Sequence, residues 1–242
     1  MTSLAEKTIL VTGANRGLGS SLVEEALRRG ARRVYAATRQ PLSHPDTRVT
    51  TVPLDVTDAA QIQAAAERIE SLDVLVNNAG IALVDDLGER AALEQHLAVN
   101  LFGTHAVTHA FLPALCQSRG AVVNVLSLAA LATVPVTPAY AASKAAAFSM
   151  SQSLRALLAD QGVTVHVVLP GPVDTDMIRD WDIPKTDPAA VARAILDGVR
   201  AGDEEIFPDP VSAAIAEAWR GGAIKALERQ NAAAVRSVAV QG

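Results

Sequence analysis

Short apolar runs rich in β-branched residues alternate with helical patterns from Thr8 to Val168, and no other feature constrains the fold as tightly. The runs are TILVT, RVYAAT, VTTVPL, DVLVNN, AVVNVLS and VTVHVVL. Each is apolar almost throughout, without the polar alternation of a strand that faces water on one side, so each reads as a strand buried on both faces. Strands of that kind, joined by helices, predict an α/β fold: a doubly wound, mainly parallel sheet with helices on both faces, in one Rossmann-type domain spanning 1–242. Helical stretches follow from LGSSLVEEALRRG, from DAAQIQAAAERIESL behind an Asp58 cap, from about Glu89 to Gln117, from about Pro138 to Gln161, and from PAAVARAILDGVR. A short strand EEIF and an Ala-rich helical tail close the pattern.

The turn between the first strand and the first helix reads TGANRGLG, Thr12 to Gly19. Glycines there let the backbone turn tightly and approach a pyrophosphate, while the free N–H groups and positive end of the helix attract it. The spacing is G-x-x-x-G-x-G rather than G-x-G-x-x-G, and the Gly-Lys-Ser/Thr of a P-loop is absent. Taken alone, such a turn is also compatible with mere packing of helix on strand. The net charge of −5 disfavours a partner that must have its phosphates neutralised, whether nucleic acid or an anionic lipid surface. No window approaches the roughly 20 apolar residues of a membrane span. The N-terminus MTSLAEKTILVTG lacks a basic start followed by an apolar segment, so a cytoplasmic address is expected. The lone cysteine, Cys116, reads as a small buried thiol.

With its downstream motifs the chain resembles the short-chain dehydrogenase/reductase family in its single-domain form. The resemblance rests on TGANRGLG, LDV (Leu54 to Val56), NNAG (Asn77 to Gly80), Asn100, Ser127, YAASK (Tyr140 to Lys144) and PGPVDT (Pro170 to Thr175), in that order. It implies NAD or NADP binding and interconversion of carbonyl and alcohol. On this resemblance Gly13, Asn15, Arg16, Gly17, Leu18 and Gly19 hold the cofactor's phosphates. Asp55 and Val56 border the adenine. The backbone of Asn77, Ala79 and Gly80 lines the ribose and nicotinamide path, and Pro170, Gly171, Val173 and Thr175 complete the cofactor site. Lys144 hydrogen-bonds the nicotinamide ribose beside Tyr140, and Asn100 holds a water that resupplies the proton. A homo-oligomer, tetramer or dimer, is expected by the same analogy.

Charge argues the choice of cofactor. An acidic residue about twenty positions beyond the turn would accept the NAD ribose hydroxyls and repel a 2′-phosphate. Thr38 and Arg39 stand there instead, and Arg16 could close on the same phosphate. NADP(H) is therefore the expected cofactor, with NAD(H) left open.

Tyr140 and Lys144 are four apart in a helical stretch, so their side chains share one face. A free phenol titrates at about 10, and a nearby ammonium favours the phenolate, so Lys144 is expected to lower the Tyr140 pKa and make it a general acid/base. Ser127 ends the strand AVVNVL, where parallel sheets place ligands, and its hydroxyl can orient the substrate oxygen. The family often has a second serine before this one, and Leu126 stands in its place. A pocket bordered by Leu128, Ala129, Val134, Val136, Met177, Trp181 and Ile183 favours an apolar ketone, aldehyde or secondary alcohol.

Other readings remain beside this one. The chain could be a catalytically silent NADP(H)-binding regulatory protein, or an epimerase or dehydratase using the same Tyr and Lys, although it lacks the large C-terminal substrate domain of the latter. His105 and His109 have a spacing that could hold zinc, but no third ligand is evident and no metal is expected. His166 reads as a hydrogen-bonded core or interface histidine. The tail positions Ile215, Trp219, Ile224 and Leu227 read as core packing.

Overall fold

The computed structural model describes residues 4–40 and 42–239. The six apolar runs form strands β1 (Thr8–Thr12), β2 (Arg33–Thr38), β3 (Val49–Pro53), β4 (Val74–Asn77), β5 (Ala121–Val125) and β6 (Thr164–Val168). EEIF supplies the short strand β7 (Glu205–Ile206). All pair in parallel in the order β3-β2-β1-β4-β5-β6-β7. The order reverses direction between β1 and β4, and the crevice beyond the carboxyl ends of those two strands is where a sheet of this kind receives a ligand.

The helices are α1 (Gly17–Arg28), α2 (Ala59–Arg68), α3 (Arg90–Leu97), α4 (Thr104–Ser118), α5 (Pro138–Leu158), α6 (Pro188–Ala201), α7 (Pro210–Arg220) and α8 (Ala223–Ala239). Alternate strand residues feed two cores. Ile9 and Val11 of β1 pack with Leu22 of α1 and Ile195 of α6, whereas Leu10 packs on the other face with Ile62 of α2 and Phe111 of α4. Both faces being covered is the reason the runs show no polar alternation. Local signals set several helix starts: Asp58 caps α2, Asp187 caps α6, and Pro188 and Pro210 occupy first-turn positions where no N–H is needed.

Two expectations change here. The stretch from Glu89 to Gln117 is not one regular helix, because a π-helical segment, Ala98–Gly103, joins α3 to α4. The helical tail breaks at Gly221 and Gly222, and its buried residues are not the large apolar ones. Trp219 packs edge-on against Phe148, with ring centroids 5.5 Å apart, but Ile215, Ile224 and Leu227 are exposed. Among the described residues of the tail, the large side chain that is buried is Lys225, its amine within 2.9 Å of Glu205 and 2.8 Å of both Glu204 and Glu228. Four methylenes carry that amine from α8 to the β7 carboxylates, which an amphipathic count of apolar residues does not register.

Candidate active site

The glycine turn is braced from β4. Thr12 Oγ1 accepts the N–H groups of Asn78 and Ala79, each at 3.0 Å, and Asn78 Nδ2 donates to the Thr12 carbonyl at 2.9 Å. Gly17 has φ +54° and begins α1, whose cap residue Arg16 makes no side-chain bond to the first turn, so those N–H groups lack a side-chain cap. A Cβ on Gly19 would lie 2.1 Å from the Gly13 carbonyl oxygen and 2.7 Å from Asn78 Nδ2, so no larger residue fits. Uncapped helix N–H groups behind a side-chain-free turn are the donor set a pyrophosphate requires.

A cleft of about 960 Å³ runs from this turn across the ends of the strands. Gly13, Asn15, Arg16, Gly17, Leu18 and Gly19 line one end, and Thr38, Arg39, Asp55 and Val56 its flank. Ala79 and Thr175 lie against the glycine turn, and Gly80, Pro170, Gly171, Val173, Ser127, Tyr140 and Lys144 also line the cleft. Leu128, Ala129, Val134, Met177, Trp181 and Ile183 form its apolar end.

Three expected positions fall elsewhere. Asn77 points into the core, its Nδ2 bonding Thr108 Oγ1 and Asn124 Oδ1 at 2.9 Å each, and Asn78 takes the place at the cleft. Asn77 is the last residue of β4, inside a sheet covered on both faces, whereas Asn78 lies just beyond the strand end, where the cleft opens. Val136 lies outside the cleft, exposed, with its carbonyl accepting the Asp85 N–H. Asn100 is buried beside it rather than lining it: its Oδ1 accepts the Ile81 N–H, and its Nδ2 donates to the Ile81 carbonyl and to Ser143 Oγ, all at 2.9 Å. Its amide is thus committed to protein partners. The π-helical segment carries it, an irregularity that recurs at functional sites.

Arg16 does not reach toward Arg39. Its Nη1 pairs at 2.9 Å with Asp176, which also pairs with Arg179, because the turn Asp176–Ile178 brings a carboxylate opposite the glycine turn. Arg39 is exposed at the rim. Hydrogen bonds from the Thr57 amide and hydroxyl hold the Asp55 carboxyl below its usual range, with a smaller contribution from Arg39.

At the reacting end, Lys144 Nζ donates to the Val125 carbonyl at 2.9 Å and lies 5.7 Å from the Tyr140 ring centroid. Burial pushes its pKa down to about 8. The effect on the phenol runs opposite to expectation: burial raises the Tyr140 pKa, and the lowering influence is the hydrogen bond from Ser127 rather than Lys144. Desolvation penalises phenolate and ammonium alike, so bringing the two together does not by itself yield an acidic phenol.

Two supporting residues carry no motif. Asp209, buried at the start of α7, accepts the Gly171 N–H at 2.8 Å and fixes the PG turn while capping its own helix. His96 on α3 stands edge-on to Tyr140, with ring centroids 6.3 Å apart. Elsewhere, His105 and His109 are exposed on α4 with their rings stacked. His166 is a core residue bonded to the Asp203 carbonyl and Thr164 Oγ1, its pKa lowered by burial. Cys116 is half-buried, its thiol bonded to Gln161. Among the described residues no helix is long and apolar enough to cross a membrane.

Residues 7–185 match the family model described as short chain dehydrogenase. The chain belongs to the short-chain dehydrogenase family. It is 31% identical over 215 residues to an uncharacterized oxidoreductase of Staphylococcus saprophyticus, an alignment covering 81% of this chain and 92% of that one. It is 34% identical to estradiol 17-beta-dehydrogenase 2 of Mus musculus, over 74% of this chain and 51% of the relative. Among solved structures, a short chain dehydrogenase from Burkholderia cenocepacia in complex with NADP superposes with a TM-score of 0.87 at 37% identity, covering 95% of this chain and 98% of the other. The chain is therefore an oxidoreductase of the short-chain dehydrogenase type.

Proposed function

We propose that this short-chain dehydrogenase interconverts an apolar carbonyl compound and its alcohol with NADP(H). The observation that carries the proposal is the convergence, in one cleft, of an uncapped helix N-terminus behind a glycine turn with Ser127, Tyr140 and, flanking the phenol ring, Lys144. The NADP in the Burkholderia cenocepacia relative supports the choice of coenzyme. So does the charge at the rim, where Arg39 offers a guanidinium to a 2′-phosphate.

The first-turn amides of α1 would hold the pyrophosphate, Asp55 and Val56 the adenine, and Ala79, Gly80, Lys144 and the PGPVDT turn the nicotinamide half. When bound, the coenzyme donates a hydride to the carbonyl carbon and accepts one in the reverse direction. Ser127 orients the substrate oxygen and stabilises its developing charge. Tyr140, kept protonated by burial, gives its proton to that oxygen, and the resulting phenolate is reprotonated from solvent by way of the Lys144 ammonium. Leu128, Val134, Met177, Trp181 and Ile183 exclude water and favour a hydrophobic substrate.

The test is NADPH oxidation against a panel of aryl ketones, aldehydes and quinones, with sugar phosphates and polyols as contrasts, for the parent and for Tyr140→Phe. The variant should lose about 10²- to 10⁴-fold in kcat while binding NADPH with unchanged Kd. Near-normal turnover in Tyr140→Phe overturns the proton assignment. Binding of NADPH without turnover of any carbonyl compound favours the silent regulatory reading.

A further inference from the structure

His96 is fully buried, yet both ring nitrogens are engaged. Nδ1 lies 2.7 Å from the Ala92 carbonyl, and Nε2 lies 3.0 Å from the backbone nitrogen of Leu83. A carbonyl can only accept and a backbone N–H can only donate, so the ring is the neutral Nδ1–H tautomer. Apolar filling would not need such a ring, because a buried imidazole is tolerated only where its polar atoms find partners.

What the ring holds is the wall of the cleft. Ile81, Ala82 and Val84 line it. Asn100 grips Ile81 through both its N–H and its carbonyl, and two residues on His96 takes the Leu83 N–H. The next ties along the segment are longer: Asp85 N–H to the Val136 carbonyl at 3.4 Å, and the Asp85 carboxylate to the Ala139 N–H at 3.3 Å. Beyond Ile81, therefore, the Leu83 bond is the short tie fixing this wall. The ring that makes it stands edge-on to Tyr140, with an interplanar angle of 67°.

Building on the carbonyl-reductase reading above, we propose that His96 is a positioning residue for the substrate side of the cleft. Its Nε2 pins the 81–84 wall at a fixed distance from Tyr140, and so sets the grip on the substrate without touching substrate or coenzyme.

Asparagine and glutamine separate the two nitrogens, since Asn carries a donor near the place of Nδ1 and Gln an acceptor near the place of Nε2. His96→Gln should keep KM for the best carbonyl substrate within about twofold of the parent, and His96→Asn should raise it about five- to tenfold by leaving the Leu83 N–H unpaired. In His96→Asn, kcat and the NADPH Kd should both stay within about twofold. Equal KM values in the two variants, or a KM change matched by the NADPH Kd, overturns the proposal. Amide hydrogen exchange at Leu83 reads the pin without turnover: it should be faster in His96→Asn than in His96→Gln, and equal rates overturn the proposal even if no carbonyl compound is reduced. Imidazole ¹⁵N shifts of the parent provide a check that needs no variant, and a protonated Nε2 is the refuting result.

Discussion

Lys144 should cost the protein stability at neutral pH, and its removal should show this with a definite pH signature. Its amine is buried; among the described residues no carboxylate pairs with it, and its single hydrogen bond goes to the Val125 carbonyl at 2.9 Å. Burial brings its pKa from 10.5 to about 8. At about 1.4 kcal/mol for each tenfold in proton affinity, holding the ammonium in the folded state costs about 3 kcal/mol. Below about pH 8 folded and unfolded chains both carry the proton, and the folded state bears the whole cost. Between about 8 and 10.5 the folded chain has released the proton while the unfolded chain retains it, so the stability of the parent rises with pH across that window. Lys144→Met keeps an unbranched side chain, removes the charge and loses a hydrogen bond worth about 1 kcal/mol. Without coenzyme, the variant should therefore be about 2 kcal/mol more stable than the parent at pH 7 and about 1 kcal/mol less stable near pH 10.5. Urea unfolding of both proteins at several pH values measures the difference, in which groups common to the two cancel. A difference that does not change with pH, or a variant less stable than the parent at pH 7, refutes the reasoning. If the catalytic reading also holds, the stabilised variant will turn over poorly, because it loses the amine proposed to hold the nicotinamide half of the coenzyme.

Two other perturbations follow from the geometry. Arg39→Asp places a carboxylate at the rim where a 2′-phosphate would bind, so the ratio of kcat/KM for NADPH over NADH should fall about tenfold or more; an unchanged ratio removes the charge argument for the coenzyme. Lys225→Met removes one cation from Glu204, Glu205 and Glu228 at once, leaving Arg155 paired with Glu205 and Glu228, with Glu205 nearly fully buried, and should lower unfolding stability by about 3–5 kcal/mol. A loss below about 1 kcal/mol in urea melts would show that water already screens the cluster.

Much of the architecture is legible without coordinates. The β-branched runs became β1 to β6 within a residue or two, Asp58 capped its helix, and Gly19 proved to be a position with no room for a side chain. These features are written locally, in period, cap chemistry and backbone freedom, and a chain segment carries them before it meets any other. Tyr140, Lys144 and Ser127 share a cleft because a four-residue helical spacing and a strand end are also local facts. Asn77 and Asn78 mark the limit, since a motif names both and only the point at which β4 ends decides which one lines the cleft.

The sequence by itself determined the order of strands and helices, the glycine turn and the face on which Tyr140 and Lys144 meet. Tertiary structure alone decided that Arg16 turns to Asp176, that Lys225 rather than its apolar neighbours is buried, that His96 binds the Leu83 backbone, and that burial raises the Tyr140 pKa instead of lowering it. The division has one physical cause. Backbone preferences act over a few residues, whereas desolvation and the choice of hydrogen-bond partner depend on which distant segments the folded chain brings into contact.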